Sequence, residues 1–181
     1  MKNVHARSYP YPPEAIRPWL EAVWSGTERD AFPRDVIRSW RRNPTGADAL
    51  ALIPGQTSLG HGGFSFRLTQ WDGSRWRVEF DGARMRGWHG FDLQSEGGGA
   101  RLTHTFEAGA QWPARLVWRW MLEPIHDWVV EALLDRLAIA LRTGRAPERT
   151  ERPMGLRASA AFKLAKMRFR RKARRRTEAT A

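Results

Sequence analysis

The side chains best suited to proton transfer in this chain are imidazoles. Four of its five histidines, His61, His89, His104 and His126, lie in or beside apolar stretches. His89 and His104 share the apolar phase of two alternating segments, and His126 recurs with Val129, Val130 and Leu133 at helical spacing. An imidazole titrates near neutrality, so His89 or His104 in an apolar chamber could act as acid or base on an enolisable carbonyl, or anchor a polar group. The competing reading makes each ring a core residue bonded to a neighbour, the usual fate of buried polar groups. Strand-diagonal spacing is not a metal-ligand motif, and no outer-shell pattern accompanies it, so no metal ligand and no cofactor are expected. Without cysteine there is no thiolate nucleophile and no disulfide. Asp127 follows His126, and adjacent helical side chains diverge by about 100°, so Asp127 is expected to face solvent or Arg119. Gly62-Gly63 and Gly97-Gly98-Gly99 read as a strand start and a hairpin tip, not a phosphate loop.

Period-two patterning supplies the elements that must hold these rings. Val4–Ser8 reads as a first strand. A helix follows Pro12-Pro13 through EAIRPWLEAVW, with a kink or break expected at Pro18. Residues 26–56 show no clear period; DVIRSWRR within them could form a short helix. From Leu59 the alternation is steady: Phe64, Phe66, Leu68; Trp76, Val78, Phe80; Met85, His89, Phe91, Leu93; Leu102, His104, Phe106, Ala108. This predicts an antiparallel meander with one buried face. The turns suggest a register. Leu68 opposite Trp76 leaves Trp71-Asp72-Gly73 as a loop, and Phe80 opposite Met85 leaves Gly82-Ala83 as a turn. That second pairing sets Asp81 against Arg84 and Glu79 against Arg86. Leu93 opposite Leu102 leaves Gly97-Gly98 at the tip. A long helix from about Pro113 to Arg142 closes the body, kinked at Pro124, stopped by Gly144, with Asp127, Glu131 and Asp135 on its polar side.

Charge divides the chain. It has 181 residues, 41 % hydrophobic, with ten Trp and a net charge of +12. Most of that excess lies after Gly144, whereas all the Trp lie before it. Two units are therefore expected: residues 1–144, and a basic flexible or amphipathic tail at residues 145–181. In the tail a helix would put Leu156, Ala160, Leu164 and Met167 on one side. Lys163, Lys166, Arg168, Arg170, Arg171, Lys172, Arg174, Arg175 and Arg176 could meet an anionic membrane surface or nucleic-acid phosphates, against the competing reading of a disordered solvated tail. No apolar run reaches the ~18–20 residues of a membrane span, and the N-terminal stretch lacks the apolar core of a signal peptide. A cytoplasmic protein, or one peripheral to a membrane, is the expectation.

The order strand, helix, meander, long helix is that of the helix-grip fold, an α+β architecture in which a curved antiparallel sheet wraps a closing helix. YPPEAI, GHGGFSFRLTQWDGSRWRVEF, WHGFDLQSEGGGARLTHTFEAG and RLVWRWMLEPIHDWVVEALLDRL resemble the START-like, polyketide cyclase-like (SRPBCC) superfamily over roughly residues 3–142. The resemblance implies that fold and a habit of holding apolar ligands, but no particular reaction. The ligand wall would comprise Phe64, Phe66, Trp76, Val78, Phe80, Met85, His89, Phe91, His104, Phe106, His126, Val129, Val130 and Leu133. Non-catalytic binding of a small apolar molecule or lipid is the leading expectation. The alternatives are a cyclase or dehydratase using a pocket His, and a peripheral membrane protein acting through its tail.

Overall fold

The chain is described here from a computed structural model, over residues 1–25, 29, 31–33, 35, 41–44, 57–61, 64–82 and 85–178. Alternating side chains build seven strands, β1 (Lys2–Tyr9), β2 (Arg41–Pro44), β3 (Thr57–His61), β4 (Phe64–Trp71), β5 (Arg75–Gly82), β6 (Met85–Glu96) and β7 (Gly99–Ala110). They form one antiparallel sheet in the order β1-β7-β6-β5-β4-β3-β2. Helix α1 (Pro13–Ser25) follows β1. After β7 come α2 (Trp112–Val117), a π turn (Trp118–Leu122), α3 (Glu123–Thr143) and α4 (Leu156–Glu178). The α+β helix-grip architecture expected from the order of elements is the one observed.

The sheet's concave face and the helices share one core. Phe66, Leu68, Trp76, Val78, Phe80, Phe91, Leu102 and Phe106 meet Val130, Leu133, Leu134 and Leu137 of α3 and Ile16, Trp19 and Leu20 of α1, all buried. Val129 is partly buried against the same cluster. The side chain of Phe64 lies outside the described residues. At Gly90 a Cβ would stand 2.0 Å from the Trp76 carbonyl oxygen, so the closeness of β5 and β6 there depends on glycine.

Two hairpins differ from the expected register. Leu68 faces Val78 rather than Trp76, because the register shifts between Leu68 and Gln70 and Trp71 stays in the strand opposite Trp76. The Asp72 carboxylate explains the turn. It accepts hydrogen bonds from the backbone N–H groups of Ser74 (3.0 Å) and Arg75 (2.7 Å), while Gly73 takes φ +82°. Those bonds hold its pKa down at about 2. In the next hairpin Phe80 faces Gly87, Gly82 faces Met85, and Asp81 pairs with Arg86 at 2.6 Å. Glu79 therefore faces Trp88, not Arg86. Residues 83 and 84, including the expected partner Arg84, lie outside the described residues. Both displacements are by two residues, so every ring kept its face. The β6–β7 register is as expected, with Leu93 opposite Leu102 and positive φ at Gly97 and Gly98.

The expected helix breakers act in different ways. α1 runs unbroken through Pro18. Burial of Ile16, Trp19, Leu20 and Val23 around it outweighs one lost hydrogen bond. The closing helix meets Pro124 at the second residue of α3. The π turn precedes it, and the Glu123 N–H donates back to Trp118 O, five residues away. Gly144 ends α3 in the left-handed conformation (φ 74°). Arg41 and Arg42, placed above in a possible helix, begin the edge strand β2, where Pro44 costs no interior ladder bond.

The chain after Gly144 packs back onto α3. Arg152 bridges Asp135 (2.6 Å) and Glu131 (3.5 Å), and the buried Arg136 guanidinium donates to Ala31 O (2.9 Å) and contacts Asp35 (3.7 Å). Ala158 and Ala161 of α4 are buried, Ala158 in a cluster with Trp128 and Ala132 of α3. The docked side of α4 is thus its small-residue side, since alanines allow close approach. Leu156, Leu164 and Met167, the expected apolar side, are exposed.

Candidate functional site

The imidazoles converge on the concave face. His89 and His104 come from neighbouring strands, His89 opposite Phe106 and His104 opposite Phe91. Their facing nitrogens, His89 Nδ1 and His104 Nε2, are 3.4 Å apart. On β5 His89 faces Val78, with the Trp76 ring 5.7 Å away on the diagonal. α3 lays His126 over this pair, its ring 5.1 Å from that of His104. His61 lies in β3, and its side chain is outside the described residues.

Aromatic rings close the wall. Phe106 stacks on Trp118 at 4.0 Å, and Phe80 stacks on Phe106 at 5.5 Å. Phe66 meets His89 edge-on at 4.9 Å. A cleft of about 610 Å³ reaches Phe66 and Phe80 from the outer residues Arg67, Glu79, Asp81, Arg86 and Trp88.

His126 is the unusual member. Its ring nitrogens are inaccessible to solvent and neither has a hydrogen-bond partner. Asp127 Oδ1 is 3.9 Å from Nδ1, beyond hydrogen-bond reach. Burial pulls the His126 pKa below its ordinary value, so the ring is neutral at pH 7. A neutral imidazole presents one donor and one acceptor, and both are open here.

His5, not weighed in the sequence reading, completes a line of four imidazoles. It sits opposite His104 across β1 and β7, its ring 6.2 Å from that of His126. Its Nδ1 lies 2.8 Å from Glu131 Oε1 and its Nε2 3.3 Å from Asp127 Oδ1. Burial disfavours its charge, but hydrogen bonds to the two carboxylates prevail and its pKa is raised. Asp127 stays partly exposed, as expected, but its partners lie on β1 and do not include Arg119. It takes a hydrogen bond from Asn3 Nδ2 (2.8 Å) and lies against β1. Burial opposes ionisation of Asp127, but the hydrogen bonds of His5 and Asn3 and the charge of His5 outweigh it and hold the carboxyl well below the usual range. Asn3, His5 and Arg7 meet Asp127, Glu131 and Asp135 as two facing polar rows. The signal was present in both segments: period two on β1 and steps of four on α3.

His5, His126 and Asp127 bring one ligand atom each within 4.8 Å of one another, the only such group found among the described residues. Both His5 nitrogens already meet carboxylates, so a cation would have to displace a proton bound between them. The arrangement suits hydrogen bonding to a ligand oxygen better than metal ligation.

No protein-family model and no curated protein matches the chain. Solved structures do. A protein from Thermobifida fusca shares 17 % identity over 82 % of this chain and 98 % of its own, with a TM-score of 0.56. One from Arthrobacter aurescens shares 9 % over 84 % and 92 %, at 0.54. Ara h 8.0201 shares 11 % over 79 % and 98 %, at 0.50. At such identities the likeness is one of fold, and it agrees with the strand order and closing helix described above. The chain has a helix-grip fold, as these structures do.

Proposed function

We propose that the protein binds, without transforming it, a small apolar molecule bearing a hydrogen-bonding oxygen, held between the sheet and α3. One observation carries the reading: His126 keeps both ring nitrogens buried and unmatched inside an aromatic wall. Such a group is costly unless something bonds to it, and a ligand oxygen is the partner the site lacks. His89 and His104 extend the polar spot, and Phe66, Phe80, Phe106 and Trp118 supply apolar contact.

The test compares 2-dodecanone with dodecane by native mass spectrometry and by competition against a fluorescent apolar probe. The ketone should bind about tenfold tighter, as one buried hydrogen bond allows, and His126→Leu should erase the difference. Equal affinity for both compounds in the wild type, or no binding of either, refutes the reading. A cyclase- or dehydratase-like enzyme is the second reading. The observation favouring it is that neutral His126 stands between His104 and the His5–Asp127 pair, a line along which a proton could move.

A further inference from the structure

Exposed large hydrophobic side chains are concentrated on one part of this protein. Among the described residues they are Val4, Trp112, Leu116, Trp120, Leu156, Leu164 and Met167, and all but Val4 lie on α2, the π turn and α4. Trp112, Leu116 and Trp120 follow one another at steps of four, a single stripe. The two indoles are 71 % and 67 % exposed. α4 lies alongside: the Arg157 guanidinium is 5.8 Å from the Trp120 ring centroid and donates to Arg119 O at 3.3 Å. Leu164 follows Arg157 by two helical turns and so shares its side of α4.

The charge around these side chains has one sign. Arg115, Arg119, Arg157, Lys163 and Lys166 are exposed and have no carboxylate partner among the described residues. No acidic residue occurs between Gln111 and Leu122 or between Pro153 and Thr177. α4 continues to Glu178 through a sequence of further Arg and Lys residues. No helix among the described residues is long and apolar enough to cross a membrane. Indoles and aliphatic side chains amid unpaired cations fit a lipid interface, where rings sit at headgroup level and cations meet lipid phosphates. Nucleic acid would use the cations but has no place for Leu116, Leu156, Leu164 and Met167.

We propose that the face formed by α2, the π turn and the outer side of α4 docks on an anionic membrane surface, with Trp112 and Trp120 entering the headgroup layer. This surface is separate from the imidazole chamber, and the proposal stands whether or not a ligand binds there.

The full chain is tested by flotation with phosphatidylcholine vesicles, with and without phosphatidylglycerol. Wild type should partition onto the anionic vesicles and detach as salt is raised. The double variant Trp112→Ser/Trp120→Ser keeps the net charge and should partition at least about tenfold less well. Leu156→Ser, at a side chain 93 % exposed, should weaken binding in the same direction and guards against misfolding of the first variant. Lys163→Glu/Lys166→Glu should weaken binding and flatten its salt dependence. Undiminished partitioning of the tryptophan variant overturns the proposal. So does binding of a single-stranded oligonucleotide at physiological salt with no binding to anionic vesicles.

Discussion

Replacing His126 by leucine should make the protein more stable while depriving it of its ligand. Each buried polar group left without a partner costs roughly 1–3 kcal/mol, and both His126 nitrogens are in that state. Against this stands the loss of ring contacts with His104 (5.1 Å), Phe106 (5.3 Å) and Trp118 (5.4 Å), of order 1 kcal/mol. The net gain near pH 7.5 is then about 1–5 kcal/mol, a rise of roughly 2–20 °C in Tm for a chain of this size. The gain should depend on pH with a definite sign. Burial lowers the His126 pKa in the folded state, so unfolding takes up a proton below the ordinary value of 6.5. Wild type therefore loses stability as pH falls from about 6.5 towards the folded pKa, at up to ~1.4 kcal/mol per pH unit, and the leucine variant does not. Its advantage should therefore be larger at pH 5.5 than at pH 7.5. His5, Asp127 and Glu123 are the charged groups that act on the ring, and they remain in both proteins. Urea denaturation followed by circular dichroism at the two pH values measures the difference. A variant less stable than wild type by 1 kcal/mol or more, or an advantage equal at both pH values, would refute the reasoning.

Asp135, flanked by Arg7 and by Arg152 at 2.6 Å, has a lowered pKa: burial opposes its charge, but the two guanidiniums outweigh that. Its contribution is present above the ordinary carboxyl pKa and is lost as pH falls through the folded one. Asp135→Asn should then cost about 1 kcal/mol at pH 7, after allowing for solvent screening of these half-buried groups, and much less near pH 2, as read by urea titration. Tyr9 is buried with its hydroxyl donating to Leu134 O at 3.0 Å, and burial raises its pKa. Tyr9→Phe should cost about 1 kcal/mol in urea denaturation, and the alkaline ultraviolet titration of the folded protein should lose its late-ionising phenol.

The sequence by itself determined which side chains face inward. Side-chain direction in a strand depends only on parity, so Phe66, Trp76, Val78, Phe80, His89, Phe91, His104 and Phe106 kept their face even where the cross-strand partners shifted by two residues. The closing helix was legible for a similar reason, since a periodic apolar stripe ending at Gly144 is a local signal. Tertiary structure alone decided the rest, because it brings together residues more than a hundred positions apart. β1 pairs with β7 at the sheet edge, setting His5 opposite His104 and turning Asp127, Glu131 and Asp135 from an expected solvent side towards Asn3, His5 and Arg7. The same holds for α4. Helical spacing can group Leu156, Leu164 and Met167, but only the closeness that Ala158 and Ala161 permit against α3 determines which side of that helix meets water.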